Sequence, residues 1–284
     1  MVGSIMLKQE HLLINTYLIC TMEIKFVKTV SKGSKFNQIY VPKNMENLIE
    51  AGDEVEIRLI KKHIKLYYSN GLKNLSVFKE SLIRGIFSFL NGNFDINAIF
   101  IVGSFLTEKI SYNDIDIVII TSEKNENLEE SVYNKLIEKF DLKFHILAIK
   151  EKRFWRLSGI CPLTRAMFSN FICNKPIKIP DKKFADKNHI KFLLMMPHDL
   201  LEIKLNSRSF FDSVRRLITI ERFLKDRSLD IATINEEIKK LVKEQLYKRI
   251  KNNDDIEENS FNFLRKIIRT KLKIIEDLIK NGQE

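Results

Sequence analysis

Residues 100–121 read FIVGSFLTEKISYNDIDIVIIT. One apolar run ends at Gly103-Ser104, and a second begins behind Asp114-Ile115-Asp116. Residues i and i+2 of a strand face the same side. If the second run is a strand, both carboxylates therefore point one way at its entrance. Two like charges at the edge of a core are costly without a counter-charge. A divalent cation supplies one, because Mg2+ takes one or two protein carboxylates and fills its shell with water and phosphate oxygens. Gly103 has no Cβ, so a phosphate can come close to its backbone. Ser104 adds a hydroxyl and an N–H at the start of a helical turn, a position that favours anions. Such a set suits metal-assisted transfer of a nucleotidyl group, the metal polarising the α-phosphate and helping to activate a hydroxyl.

The flanking segments have clear periods. In 75–91, apolar residues at 75, 78, 82, 83, 86 and 89–90 have helical spacing, and Gly92 is a natural stop. INAIFIVGS predicts a buried strand, FLTEKIS a short helical turn or loop, and DIDIVIIT a second strand. NLEESVYNKLIEKF predicts an amphipathic helix and LKFHILAI a third strand. Helix–strand–strand–helix–strand is a compact α+β unit. Residues 185–284 are helical by period, with breaks at Pro197, near 228–233 and at 252–260. In 206–224, Arg208, Arg215 and Arg222 recur every seven residues. That stripe suits phosphates, or it is a solvated face paired with Asp212 or Asp226.

Upstream, MEIKFVKTV, IYVPK, DEVEIRL and HIKLYYS read as short strands separated by turns, so 22–70 is expected to be a small β-rich domain. Residues 1–21 are expected to be an unstructured extension, with a short added helix as the alternative.

At 284 residues the chain has length for about two domains. The net charge of +11 makes nucleic acid, nucleotides or anionic surfaces plausible partners. Residues 75–180 carry 14 basic and 12 acidic groups, so the surplus sits in the flanks, as suits a small site between anion-attracting modules. Three cysteines, Cys20, Cys161 and Cys173, with no C-x-x-C spacing argue against a disulfide framework or zinc site and for a reducing cytoplasm. No apolar run reaches the roughly 18 residues of a membrane span.

Gly-Ser, a nine-residue spacer and Asp-x-Asp within an apolar strand resemble the DNA polymerase beta-type nucleotidyltransferase superfamily in its minimal form, over about residues 75–178. The resemblance implies an NTP and Mg2+ (or Mn2+) held at Gly103, Ser104, Asp114 and Asp116, with the two aspartates as metal ligands. It also implies a third acid on the third strand. There the chain offers Lys143 and His145, with Asp141 at the strand's edge, so Asp141 and His145 are the further catalytic candidates. Arg153 and Arg156, in the segment that follows, are candidates for the triphosphate. Val30-Ser31-Lys32-Gly33, Ile39-Tyr40-Val41-Pro42-Lys43 and Ala51-Gly52-Asp53-Glu54-Val55 resemble the AbrB-like swapped-hairpin domain. That resemblance implies a homodimer and DNA contacts through Lys28, Lys32, Lys35 and Lys43.

The expected architecture is α+β. It comprises an extension at 1–21, an AbrB-like β domain at 22–70, a nucleotidyltransferase mixed sheet with flanking helices at 75–180, and a helical bundle at 185–284. The expected activity is NMP transfer from NTP to a hydroxyl of a protein or RNA, in the cytoplasm and away from membranes. The competing expectation is a DNA-binding regulator or antitoxin-like protein whose nucleotidyltransferase fold serves as a nucleotide sensor.

Overall fold

The structure, a computed structural model, describes residues 24–281 apart from 59, 61, 62, 70, 71, 73, 74, 109–111, 124, 125, 183 and 204. The expectation for residues 1–21 lies outside the described residues. The chain divides into two compact units, Met1–Ile60 and Lys61–Glu284.

In the first unit, β1 (Ser31–Lys32) pairs antiparallel with β2 (Asn37–Gln38), Ser31 opposite Gln38. The Gly33 N–H closes the intervening turn by donating to the Phe36 carbonyl at 3.0 Å. A 3-10 turn covers Lys43–Met45 behind Pro42. Gly52, at φ 111°, makes the turn that Gly-Asp signals in the sequence. The strands expected at MEIKFVKTV and DEVEIRL are not formed among the described residues. Their apolar side chains Val27, Val30, Val55 and Ile57 are exposed, and Ile24 and Phe26 are only half-buried. An alternating strand needs a second layer to cover its apolar face, and the described residues of this unit offer none. Its elements therefore do not by themselves establish an AbrB-like hairpin.

The second unit begins at Lys61, ahead of the expected boundary at residue 70. HIKLYYS does not close the N-terminal domain. Its β3 (Tyr67–Tyr68) is the edge strand of the central sheet, with Tyr67 opposite Cys173 and Tyr68 opposite Ile172. The cause is burial, because Ile64 and Leu66 pack into the same core as the first helix. After it come α1 (Val77–Asn93), β4 (Ala98–Val102), a 3-10 turn (Gly103–Leu106), β5 (Ile115–Thr121), α2 (Leu128–Phe140) and β6 (Phe144–Lys150). Then follow α3 (Glu151–Ile160), α4 (Pro162–Met167) and β7 (Ile172–Cys173). The sheet order is β3-β7-β4-β5-β6, antiparallel throughout except for the parallel β5–β6 pair. A parallel pair needs a crossover, and α2 provides it.

Ser76 caps α1 by accepting from the Lys79 N–H, and Ile83, Ile86, Phe87 and Leu90 line the buried face of that helix. All five residues of β4 are buried, as its unbroken apolar sequence requires of a central strand. Ile99, Ile101, Ile117 and Ile119 pack with α1 and α2 on one side of the sheet. Phe100, Val118 and Ile120 pack on the other side with Phe154, Phe168 and Phe171.

The helical half comprises α5 (Lys187–Asp199), α6 (Ser207–Leu224), α7 (Ile231–Val242), α8 (Glu244–Asn252) and α9 (Glu258–Asn281). Helix α6 is its hub: Phe210, Phe211, Val214, Leu217 and Ile218 are all buried. Cys161 and Ala166 join the same core, so α4 packs the helical half against the sheet. Pro197 does not break α5 where expected. It sits in the last turn, and the helix runs on to Asp199. Lys243, at φ 67°, separates α7 from α8 with no glycine or proline to announce it. Among the described residues no helix is long and apolar enough to cross a membrane.

Candidate active site

Val102 and Asp116 face each other across the β4–β5 ladder. The chain therefore turns at Gly103 directly beside the Asp116 carboxylate. Gly103 has φ 78°, a conformation that side chains rarely adopt. A Cβ built there would stand 2.1 Å from Asp116 Oδ2 and 3.0 Å from its Cγ. Glycine is required here twice, by the backbone and by its neighbour. The turn leaves Ser104 exposed, while the Ser104 carbonyl accepts from the Thr107 N–H at 3.1 Å and from Thr107 Oγ1 at 2.8 Å.

Lys79, on the first turn of α1, holds this turn from behind. Its Nζ donates to the carbonyls of Phe105 at 2.8 Å and Thr107 at 2.7 Å, under the rings of Phe105 and Tyr112. The side chain is buried, and burial lowers the ammonium pKa. Sequence reading missed Lys79. The signal was a lysine on the apolar face that continues through Ile83, Ile86 and Leu90.

Asp116 has the strand parity of Val118 and Ile120, the face on which α3 and α4 pack, and Asp114 lies just before β5 begins. Burial pushes the Asp116 carboxyl up and the Asp114 charge adds to the shift, against the His145 hydrogen bond and the charges of His145 and Arg215. His145 is the neighbour of Asp116 in the parallel β5–β6 register, and its Nδ1 lies 3.1 Å from Asp116 Oδ1. The His145 side chain is 73% exposed against 30% for Asp116, so the ring reaches outward from the carboxylate.

The other candidates stand apart. Asp141 caps α2 in the left-handed conformation at φ 52° and is exposed. That backbone position accepts a short polar side chain, and among the described residues no hydrogen bond or ion pair joins Asp141 to the aspartate pair. Arg153 and Arg156 are exposed on α3, which starts after Lys150. Lys150 pairs with Thr121, at the end of β5 opposite Asp116. Neither arginine makes a hydrogen bond or ion pair with the site among the described residues, and Arg156 instead lies near His189. The structure thus does not bring Arg153 and Arg156 to the carboxylates. Phe154 is fully buried against Phe100, as core rather than as a base-stacking surface. Lys28, Lys32, Lys35 and Lys43 are all exposed in the first unit.

Among the described residues no group of three or more His, Cys, Asp and Glu side chains is gathered to hold a metal. The aspartate pair still fits a hard divalent cation completed by phosphate oxygens and water. The Asp116 oxygens are partly desolvated, repelled by the Asp114 charge and packed against a glycine that leaves no room for a side chain.

The Asp116 carboxylate and the glycine-serine turn thus meet at one end of the inner strand pair β4–β5. Residues 84–157 match the family model described as polymerase beta, nucleotidyltransferase. The match spans α1 to α3 and includes every residue of the Gly103–Asp116–His145 constellation, and it supports the nucleotidyltransferase superfamily for this segment. No curated protein and no solved structure matches the chain.

Proposed function

We propose that the protein transfers an NMP from an NTP to a hydroxyl of a macromolecular acceptor, releasing pyrophosphate. The observation that carries this reading is the Asp116 carboxylate, fixed between Gly103 and His145 with Asp114 beside it. Asp114 and Asp116 would hold Mg2+ or Mn2+, which when bound neutralises phosphate charge and polarises the α-phosphate. The Gly103–Ser104 backbone and the Ser104 hydroxyl bind the phosphates, and Lys79 keeps that turn in place. The acceptor oxygen forms a bond to the α-phosphorus as the bond to the α,β-bridging oxygen breaks, and pyrophosphate leaves with that oxygen. His145 takes the hydroxyl proton at Nε2 while its Nδ1–H donates to Asp116, which fixes the tautomer. Positioning and charge neutralisation supply the rate.

A second reading rests on His145 standing where the family resemblance calls for an acid. In that reading the fold binds NTP without transfer and serves as a sensor in a regulator. The exposed Lys28, Lys32, Lys35 and Lys43 would then contact DNA. Pairing of two copies would cover Val27, Phe36, Val55 and Ile57, all exposed in the first unit.

The test is incubation with each of four α-32P-labelled NTPs and Mg2+ or Mn2+, with total RNA or lysate protein. The doubly substituted Asp114→Asn, Asp116→Asn protein runs beside it. Label moving to an acceptor with the wild type alone supports transfer. Metal-dependent NTP binding without any transfer supports the sensor.

A further inference from the structure

The arginine stripe of α6 divides in the structure. Arg222 is consumed by the fold: it bonds Glu237 at 2.8 Å and the Ser228 carbonyl at 2.6 Å, with its side chain 12% exposed. Arg208 and Arg215 lie over the ring of Phe211, at 5.1 and 5.7 Å, with Arg208 also donating to the Lys251 carbonyl at 2.6 Å. Lys239 of α7 and Lys251 of α8 lie over the ring of Tyr247, at 5.6 and 5.5 Å. The two rings are themselves 5.8 Å apart. Three helices thus gather four cations over one aromatic floor.

The local carboxylates do not balance them. Asp212 serves both Arg208 at 3.4 Å and Arg215 at 3.1 Å, and Glu236 serves Lys239. Glu244 adds only its charge, acting on Lys239 at longer range and pairing with Lys248. Lys251 has no acidic partner among the described residues. Burial and the charges of Arg208, Lys239 and Arg215 all depress its pKa. Four crowded cations with two paired carboxylates favour an anion on that surface.

We propose that Arg208, Arg215, Lys239 and Lys251 bind the phosphate backbone of a single-stranded nucleic acid and present its end to the aspartate pair. This deepens the transferase reading and rests on it for the word acceptor. The charge of Arg215 also acts on Asp116, lowering its pKa against the effect of burial. Phe211 and Tyr247 are buried beneath the cations, so the surface reads charge and offers no ring to stack a base. Cations spread over three helices match a polymer of regularly spaced phosphates.

The test is anisotropy of a fluorescent single-stranded RNA 20-mer against salt, using the full chain. Neutralising four phosphates gives a slope of log affinity on log salt of about −2.8, at about −0.7 per contact. Lys239→Gln with Lys251→Gln should flatten that slope by about 1.4 and weaken binding at least tenfold at low salt. Lys251→Arg should keep it, and circular dichroism checks that each variant is folded. RNA binding absent in the wild type, binding of an acidic polypeptide instead, or an unaltered slope in the folded double variant overturns the proposal. Metal-dependent NTP binding by the wild type is measured alongside. If it is present while RNA binding is absent, this surface falls and the transferase reading does not. If it is absent while RNA binding tracks the four cations, the surface stands and the transferase reading falls.

Discussion

Gly103→Ala is the sharpest perturbation of the site. The added methyl would stand 2.1 Å from Asp116 Oδ2, where Cβ contacts shorter than 3.0 Å essentially do not occur. Relief requires the carboxylate or the turn to move by on the order of 1 Å, and a displacement of that size costs about 10²-fold in rate. Rotating the carboxylate away breaks its hydrogen bond to His145, so the easiest relief is itself damaging. The left-handed backbone adds about 1–2 kcal/mol of strain for alanine, which lowers Tm by roughly 2–8 °C in a protein of this size. The assay is single-turnover transfer at saturating NTP, with Tm recorded on the same preparation. A folded alanine variant working within about threefold of wild type would refute the claim that Gly103 and Asp116 are fitted to each other.

Other outcomes follow from the same geometry. Burial holds the folded-state Asp116 pKa above its unfolded value, so the native state binds more protons between the two and stability falls as pH rises through that window. Asp116→Asn should therefore raise the metal-free Tm above the window and leave it unaltered below, while abolishing transfer. A lower Tm at neutral pH would contradict this. His145→Asn removes a hydrogen bond that lowers the Asp116 pKa, so the pH midpoint of metal-dependent NTP binding should move upward in a titration of affinity against pH. Lys79→Met leaves one buried and one half-buried carbonyl without their charged donor. It should destabilise by about 2–4 kcal/mol in urea unfolding and raise KM for NTP, and an unaltered unfolding midpoint would show that the clasp contributes nothing.

The middle of the fold was legible because its signals are local. Helix α1 has a 3.6-residue stripe, β4 and β5 are continuous apolar runs, and α2 follows an acidic first turn. The Gly-Ser and Asp-x-Asp spacing placed Gly103 just past one strand and Asp116 on its neighbour, where the Val102–Asp116 register brings them side by side. What failed depends on pairing that sequence separation hides. The β3–β7 ladder joins residues about a hundred positions apart, and nothing in HIKLYYS distinguishes an edge strand of the central sheet from the last strand of a small domain. Arg153 and Arg156 looked close to the site along the chain, but β6 carries the chain to the far end of the sheet before α3 begins. Asp141 occupies the left-handed cap of α2, a backbone position that a short acid can adopt and that the sequence pattern does not announce. Alternation at 22–30 and 53–58 predicted strands, but alternation reports only that one face wants cover. In α6 the spacing of seven put three arginines on one stripe, and only the partners, Glu237 for one and the Phe211 ring for the others, separate structure from surface.

The central claim is transfer of an NMP, with cleavage between the α- and β-phosphorus. It is tested most directly by supplying one acceptor preparation with the same NTP labelled at the α- or at the γ-phosphate. Label in the acceptor from the α-labelled NTP, with the γ-label recovered as pyrophosphate, and neither product formed by the Asp114→Asn, Asp116→Asn protein, is the predicted result. Label entering the acceptor from the γ-phosphate, or equal transfer by the doubly substituted protein, would contradict it.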